Sequence, residues 1–486
     1  MKIGVDVGTT VTKAVLFGRE GEVLAKRAAP TALSRPAPGQ YEYDVEQLTD
    51  TVFGLLHDLA GSEIDLIALT GQGDGLWLLD ERARAVRPAL AWLDARGAPV
   101  CQSWSESAVL DKLFARTRNA PFPGAGGALL AALERTETDA VDAARTATQC
   151  QHVLFEKLTG VRTATRSCAM LPVFDPFAGS YDDEALRLTG LSQRRHLLPE
   201  IAPTAAVIAP LGDRRADELG LARGVPVATG PYDLPAAALG VGPLALGDGL
   251  LILGTTLACQ VAVDHVGASD PPVGLTLCAG DGRGWLRAMP AMVGTACLDW
   301  VLGLVGSDHA GLGRFLVDSE PGAHGVAALP YLSPAGERAP FADSAARAEL
   351  TGLTLETTAT DIVRAVCEAL AYAARHCFEA AGLSGDVVVC GGGTATPELV
   401  QIFADILERP LAVANDEEPA ARGAVAAADI AAGGDRGQAP VRAVVRPRQT
   451  NRSAEGYADY LHRVDVARGH RWRNKTSRAV AQQRGQ

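Results

Sequence analysis

Two short stretches of the chain share one pattern and could bind phosphate. Val-Asp-Val-Gly-Thr-Thr occupies residues 5–10, and Leu-Ile-Leu-Gly-Thr-Thr occupies residues 251–256. In each, an apolar run typical of a β-strand ends at a glycine that is followed by two threonines. Glycine permits a tight turn and close backbone approach, and hydroxyls beside free amides suit a phosphate oxygen. One copy would usually be only a turn, so the repetition is the informative feature: it predicts a duplicated fold that holds a polyphosphate.

Three aspartates lie where predicted strands end and could do metal or acid–base chemistry. Asp6 precedes the first phosphate turn, where a carboxylate suits Mg²⁺ because that ion prefers oxygen ligands. Asp74 lies in the glycine-rich loop Gly71–Gly75 and could accept substrate hydroxyls. Asp233 precedes a helix of small residues, and a helix N-terminus favours an ionised carboxylate. The alternatives are structural, since aspartate also caps helices and stabilises turns.

An α/β architecture is needed to position these residues, and the sequence predicts one. Apolar runs predict strands at Lys2–Val7, Thr12–Phe17, Glu22–Lys26, Leu66–Thr70, Pro226–Thr229 and Asp386–Cys390. Amphipathic or small-residue stretches predict helices at Val45–Leu59, Ala236–Val241, Ala291–Val305, Thr360–Ala381, Pro397–Leu407 and Ala420–Ala432. Residues 100–220 are predicted to be a helical, loop-rich insertion outside the sheet.

Composition limits the class of protein. A chain of 486 residues is too long to fold around one hydrophobic core, which predicts two domains. A hydrophobic content of 47% suits a globular protein, and no apolar run reaches membrane-spanning length without polar interruption. The first residues read as a strand rather than a signal peptide. Nine scattered cysteines without a Cys-x-x-Cys pair favour free thiols, so we expect a cytoplasmic protein with no membrane partner.

The charge is distributed unevenly along the chain. The net charge is −12, yet residues 441–486 hold 11 Lys and Arg against 3 Asp and Glu. The acidic body argues against nucleic acid as a partner. The basic end could be a nucleic-acid arm, but its composition favours a solvated tail.

The phosphate turns, a third glycine loop at Gly391–Gly393 and their order along the chain resemble the FGGY carbohydrate kinase family. The resemblance spans residues 2–465 and includes Gly336–Phe341 and a close match to the family's second signature at Gly391–Leu411. It implies an α/β fold duplicated as in actin and hexokinase (ribonuclease H-like), with two domains and an interdomain cleft. Residues 1–243 would bind the sugar or polyol and residues 244–465 the nucleotide, followed by a basic, disordered tail at 466–486.

The resemblance also implies roles for individual residues. Asp233 would be the general base, and Asp6 would hold the Mg²⁺ of bound ATP. Lys13 could add positive charge near the phosphates or point to solvent. Trp92 and Asp94 could supply a stacking face and a hydroxyl acceptor, although Trp92 could equally be a core residue. The full expected substrate set is Gln72, Gly73, Asp74, Trp92, Asp94 and Asp233. The expected ATP-binding set is Gly8, Thr9, Thr10, Lys13, Gly254, Thr255, Thr256, Gly294, Gly391, Gly392, Gly393 and Thr396.

One position departs from the family pattern. Family members commonly follow the base with an amide that bonds the sugar, whereas Leu234 and Pro235 follow Asp233 here. Together with the Gly-Asp-Gly loop at residues 73–75, this looks more like the erythritol and L-xylulose kinase branch than D-xylulokinase.

The resulting prediction is ATP-dependent phosphorylation of a primary hydroxyl of a small sugar or polyol. The alternatives are a sugar-sensing or ATPase-only member of the fold and an actin-like nucleotide switch with a protein partner. A homodimer is left open.

Overall fold

The computed structural model describes residues 1–61, 63–415, 417–435, 441–448 and 452–472, and the chain divides into two compact units. The first unit contains Met1–Pro243, Asp264–Leu286 and a segment that begins at Glu418. The second contains Leu244–Val263 and Arg287–Glu417, together with the last strand and last helix. The units therefore differ from the contiguous division predicted at residue 243, because two later segments pack with the first unit.

The strands that the structure describes are β1 (Lys2–Val7), β2 (Val11–Phe17), β3 (Val23–Pro30), β4 (Leu33–Ser34), β5 (Glu42–Tyr43), β6 (Leu66–Gly71), β7 (Trp77–Leu79), β8 (Ala89–Leu90), β9 (Thr146–Thr148), β10 (Ala164–Thr165), β11 (Phe174–Asp175), β12 (Ser180–Tyr181), β13 (Ile201–Ala202), β14 (Val207–Pro210), β15 (Pro226–Thr229), β16 (Gly249–Leu253), β17 (Leu257–Val263), β18 (Leu275–Cys278), β19 (Trp285–Pro290), β20 (Ala327–Leu329), β21 (Glu349–Thr351), β22 (Val387–Cys390), β23 (Leu411–Ala414) and β24 (Val441–Val445).

The α-helices of the same residues are α1 (Val45–His57), α2 (Ala98–Glu106), α3 (Val109–Thr117), α4 (Gly126–Thr136), α5 (Thr138–Ala143), α6 (Cys150–Thr159), α7 (Asp183–Thr189), α8 (Asp213–Leu219), α9 (Asp233–Gly240), α10 (Ala296–Leu304), α11 (His309–Val317), α12 (Ala359–Ala381), α13 (Pro397–Leu407), α14 (Pro419–Ala431) and α15 (Arg452–Val466).

The main sheet of the first unit has the order β14-β15-β6-β1-β2-β3. β1, β2 and β3 form an antiparallel meander, while β6 and β15 run parallel to β1. β14 lies in the segment 100–220 that was predicted to stay outside the sheet. Its four residues are too few to give a periodic strand signal, which is why that prediction was wrong here.

The second unit repeats this topology. Its sheet includes the order β19-β17-β16-β22-β23-β24, in which β17 is antiparallel to β16, and β22 and β23 run parallel to it. Both Gly-Thr-Thr stretches connect the first two strands of their sheet, β1 to β2 and β16 to β17. The duplicated α/β fold of the actin type that the sequence predicts is therefore confirmed.

The register of β1 determines where its polar residues point. Ile3, Val5 and Val7 are fully buried in the core that includes α1 and α6. Because side chains alternate along a strand, Gly4 and Asp6 lie on the opposite face. A Cβ on Gly4 would lie 2.5 Å from the carbonyl oxygen of Ala421, so this face packs closely against α14.

Helices α9 and α14 pack closely because both carry glycine at the contact. A Cβ on Gly240 would lie 1.9 Å from the Pro419 carbonyl oxygen, and one on Gly423 would lie 1.8 Å from that of Ala236. This contact fixes α9, and with it Asp233 at its first residue. The small-residue composition of both predicted helices is thus a packing requirement.

The end of the chain differs from the predicted disordered tail at 466–486. Residues Ala467–Arg471 continue as a helix, and the Trp472 ring is 1% exposed. That ring packs edge-on against Tyr331, with 5.5 Å between ring centroids. Burial of so large an apolar surface orders the chain to this point; the rest of the predicted tail, 473–486, lies outside the described residues.

Nowhere in the part of the chain that the structure describes is a helix both long and apolar enough to cross a membrane. All nine cysteines fall in that part and are free thiols, as predicted.

Candidate active site

Asp233 begins α9 and lies beside two other carboxylates of the first unit. Its Oδ1 accepts a hydrogen bond from the Leu234 amide at 2.7 Å, and the Gly73 amide also donates to it. Burial raises the pKa of Asp233 to about 8, and the negative charges of Asp6 and Asp74 raise it further against the effect of the amides. The three predicted aspartates are therefore brought together in one charged cluster.

Asp6 combines a buried oxygen with a neighbouring cation. Its Oδ1 is buried and has no hydrogen-bond partner among the described residues. Burial raises the pKa of Asp6 to about 6, while the charge of Lys13 lowers it and that of Glu418 raises it. An orphaned carboxylate oxygen beside a phosphate turn fits a Mg²⁺ ion that is held through its water shell.

Lys13 lies opposite Asp6 in the β1–β2 register, so the two side chains share one face of the sheet. Its Nζ forms a 2.8 Å ion pair with Glu418, which is 6% exposed and precedes α14. The side chain therefore does not point freely to solvent. Sequence reasoning missed Glu418, because 405 positions separate it from Lys13 and no local signal connects them.

The first Gly-Thr-Thr turn is held by aromatic side chains. A Cβ on Gly8 would lie 2.6 Å from the Val11 carbonyl oxygen, so the turn requires glycine. The Trp92 indole donates to the Thr9 hydroxyl at 2.9 Å, and the Tyr43 hydroxyl lies 3.3 Å from the Thr9 carbonyl oxygen. Trp92 is only partly buried and so is not a core residue. Thr10 is exposed at the tip of the turn.

The loop that follows β6 presents the predicted polyol-binding residues. Gln72 is 2% exposed; its Oε1 accepts from the Tyr43 hydroxyl at 3.0 Å, while its Nε2 has no partner among the described residues. Asp74 is 7% exposed and adopts a left-handed backbone with φ 59°. The Gln72 amide is thus an available donor and Asp74 an acceptor at the same loop.

Asp94 is placed differently from its neighbours in the predicted set. Its side chain is fully buried, and its Oδ2 accepts from the Tyr41 amide at 2.8 Å and from Nη2 of Arg96 at 2.7 Å. Its Oδ1 accepts from Nε of Arg96 at 2.9 Å. Both carboxylate oxygens are therefore used within the protein. Binding of a substrate hydroxyl by Asp94 stays a prediction, and this geometry gives it no support.

Cys150 is another neighbour that sequence reasoning missed. Its thiol points at the Gln72 carbonyl oxygen over 3.5 Å. Burial raises the pKa of Cys150 well above its usual value, and the charges of Asp233 and Asp6 add to that effect. The thiol therefore stays neutral and acts as a packing group. No signal distinguished it from the other scattered cysteines.

In the second unit, the Gly254–Thr256 turn packs against a loop that the sequence assigned to a helix. The Gly294 and Thr295 amides donate to the carbonyl oxygens of Thr255 and Gly254 at 2.9 and 2.8 Å. A Cβ on Gly294 would lie 2.5 Å from the Leu257 nitrogen. The predicted helix 291–305 was too long, because its first five residues form this loop and α10 begins at Ala296.

The glycine loop after β22 leaves backbone exposed. Gly391 has φ 98°, and a Cβ there would lie 2.7 Å from the Leu253 carbonyl oxygen, so this position requires glycine. Gly392 has open space where a Cβ would be. A Cβ on Gly393, by contrast, would lie 2.9 Å from the Cβ atom of Leu253. Thr396 is partly buried directly before α13. Such a loop lets a flat ligand lie on the backbone of Gly392.

No group of three or more His, Cys, Asp or Glu side chains in the described ranges is arranged as a metal site. Any Mg²⁺ at Asp6 must then take most of its ligands from water and phosphate, which is how this ion commonly binds in phosphoryl-transfer sites.

A repeated sheet with a phosphate-type turn in each copy and an aspartate cluster beside one of them defines an ATPase-type fold of the actin and hexokinase class. Residues 1–240 match the N-terminal domain of the FGGY family of carbohydrate kinases, and residues 273–432 match its C-terminal domain. The chain belongs to this family and is therefore a phosphotransferase.

Individual relatives agree with the family assignment. The chain is 30% identical to the erythritol kinase of Brucella abortus over 89% of this chain and 87% of that protein. It is 32% identical to a xylulose kinase of Streptomyces rubiginosus over 88% and 87% of the two chains. The solved xylulose kinase of Rhodospirillum rubrum superposes with a TM-score of 0.85 at 27% identity, over 96% of this chain and 99% of that one.

Proposed function

We propose that this carbohydrate kinase transfers a phosphoryl group from ATP to a primary hydroxyl of a small sugar or polyol of the erythritol, L-xylulose or D-xylulose type. The proposal rests mainly on the Asp233 carboxylate, which interacts with the Leu234 and Gly73 backbone amides and whose pKa is raised by the nearby charges of Asp6 and Asp74. Phosphoryl transfer to an alcohol needs the hydroxyl to be oriented in line and its proton to be accepted.

Asp233 meets both requirements. The Leu234 amide donates to Oδ1 and the Gly73 amide also stabilises the carboxylate, which still has lone pairs to accept the substrate hydroxyl. A pKa of about 8 makes it a stronger base than an ordinary carboxylate, which favours proton transfer near neutral pH. Gln72 and Asp74 supply a donor and an acceptor that orient the neighbouring hydroxyls.

The residues present fit magnesium-bound ATP. Asp6 offers its orphaned oxygen to the hydrated ion. Gly8 closes the turn through the hydrogen bond of its amide to the Val11 carbonyl oxygen, and Thr9 and Thr10 offer amides and hydroxyls to phosphate oxygens. In the second unit, the Gly254–Thr256 turn and Gly294 offer a second phosphate turn. The Gly391–Gly393 loop and Thr396 of the same unit offer open backbone for the nucleoside. When bound, the ion neutralises the charge that develops on the phosphates.

A coupled ADP-release assay with ATP, Mg²⁺ and a panel of four- and five-carbon polyols and ketoses tests the proposal. Stimulation of ADP release by one of them supports the kinase. Turnover that no substrate stimulates would instead indicate an ATPase-only protein. Tight substrate binding without any turnover would indicate a sensor.

A further inference from the structure

The Tyr232 ring lies against Gly73 in the glycine-rich loop Gly71–Gly75. A Cβ on Gly73 would lie 2.3 Å from Cδ2 of the Tyr232 ring and 2.4 Å from its Cε2. These distances are far below van der Waals contact, so the ring occupies the volume that any side chain at position 73 would need. Tyr232 is 4% exposed, so this ring is packed within the protein and does not project into solvent.

The segment before Tyr232 is fixed, so the ring cannot easily move away. The Thr70 hydroxyl donates to the Pro231 carbonyl oxygen at 2.7 Å, and the Thr165 hydroxyl donates to that of Gly230 at 3.2 Å. Both hydrogen bonds are buried. The next residue, Asp233, interacts with the Gly73 amide. Gly73 therefore contacts both the Tyr232 ring and the Asp233 carboxylate, and a shift of one affects the other two.

The groups on either side of Asp233 offer little to a long polyol. In the chain, Asp233 is preceded by the aromatic Tyr232 and followed by the aliphatic Leu234, neither of which offers the amide side chain that could bond a further hydroxyl. A further hydroxymethylene group placed against them would lose water without regaining a full set of hydrogen bonds, which is unfavourable. The polar groups of the loop, Gln72 and Asp74, suffice for only a few hydroxyls.

We propose that Tyr232 is a specificity-determining residue, whose ring fills the space left by Gly73 and restricts the acceptor to short, unbranched polyols, with four carbons preferred over five. This inference rests on the proposed kinase function. It assigns the selection of chain length to the residue before the base rather than to the base itself. One additional carbon rejected by a filled pocket corresponds to a roughly 10- to 200-fold difference in kcat/KM.

Substitution of the ring tests the proposal through the ratio of kcat/KM for erythritol to kcat/KM for xylitol. In the unsubstituted protein we expect this ratio to exceed about 10, and Tyr232→Ala should lower it at least tenfold by opening the space. Tyr232→Phe should keep the preference, because the ring remains. Should Tyr232→Ala not fold, Tyr232→Leu is expected to lower the ratio in the same direction.

A double substitution separates the ring contact from general damage. Gly73→Ala should reduce kcat/KM for erythritol, because its methyl group collides with the ring, and adding Tyr232→Ala should recover at least part of that loss. Phe17→Ala, a buried aromatic truncation in the same unit, should lower the melting temperature and leave the substrate ratio unchanged.

The inference would be overturned by a ratio that Tyr232→Ala leaves within twofold, by loss of the preference in Tyr232→Phe, or by a native preference for xylitol. Each of these results leaves the kinase function standing. Absence of phosphorylation of every polyol and ketose by the unsubstituted protein would refute the proposed function itself.

Discussion

Replacing Asp233 by asparagine should stabilise the protein while removing most of its turnover. Asparagine keeps the oxygen that accepts from the Leu234 amide and has almost the same shape, so the local structure should persist. It removes both the proposed base and the negative charge near Asp6 and Asp74. The negative charge of Asp233 is unfavourable in the folded protein but is needed to accept a proton. Its removal should therefore raise the stability and lower the rate.

The stability gain can be worked out from the shift in the Asp233 pKa. Its pKa is about 8 in the native protein and 3.8 in an unfolded chain. Between these values, each pH unit lowers the free energy of unfolding by about 1.4 kcal/mol. The stability gained by removing the charge is therefore at most about 4 kcal/mol at neutral pH. Because the side chain is partly exposed, water screens its charge and we expect a gain of about 2 kcal/mol.

The sign of the pH dependence follows from the same shift. Below pH 3.8 the carboxyl group is protonated in both states, so the substitution should bring no gain there. As the pH rises, the unfolded chain ionises first, and the gain should grow until the pH passes the native value of about 8.

Urea unfolding from pH 4 to 9 measures this gain, and the ADP-release assay measures the accompanying loss of kcat, expected at about 10²- to 10⁴-fold. Asp50→Asn, an exposed position on α1, is the matched control, because it makes the same chemical change and should alter neither quantity. An Asp233→Asn protein that is less stable at pH 8, or that keeps a near-normal kcat, would contradict the role assigned to the Asp233 charge.

Three further outcomes are expected. The kcat/KM value should fall as the pH drops below about 8, because Asp233 must be ionised to accept a proton; a flat profile from pH 6 to 9 would contradict this. Trp92→Phe removes the donor to Thr9 and should raise KM for ATP about 2- to 10-fold in steady-state kinetics, whereas an unchanged KM would separate this hydrogen bond from nucleotide binding. Gly294→Ala should weaken ADP binding at least tenfold by calorimetry, because its Cβ would meet backbone at 2.5 Å, while Gly303→Ala on α10, where the Cβ side is open, should leave binding unchanged.

The elements that the sequence predicts well are those with local signals. The apolar run of β1, its glycine and the two threonines identify a strand and a turn without any tertiary information, and the same holds for β16. Helix α13 was predicted at its observed bounds, Pro397–Leu407, because proline begins it and its apolar residues repeat with helical spacing.

The parts that were not predicted depend on contacts between distant residues. Glu418 pairs with Lys13 across the α14 packing face, and Trp92 donates to Thr9 from 83 positions away. Neither contact leaves a trace in local composition. The Asp94–Arg96 pair is different, since two charges at that spacing in one loop indicate an internal ion pair. Sequence reasoning gave that aspartate a substrate role without weighing this alternative.

Identification of the product determines whether this protein phosphorylates a primary hydroxyl. The protein is incubated with ATP, Mg²⁺ and erythritol or the ketose that stimulates ADP release most, and the product is examined by phosphorus NMR and mass spectrometry. We expect a monophosphate ester at a primary hydroxyl, formed in equal amount to ADP and nearly absent with Asp233→Asn. ADP accompanied by inorganic phosphate, or an ester at a secondary hydroxyl, would contradict it.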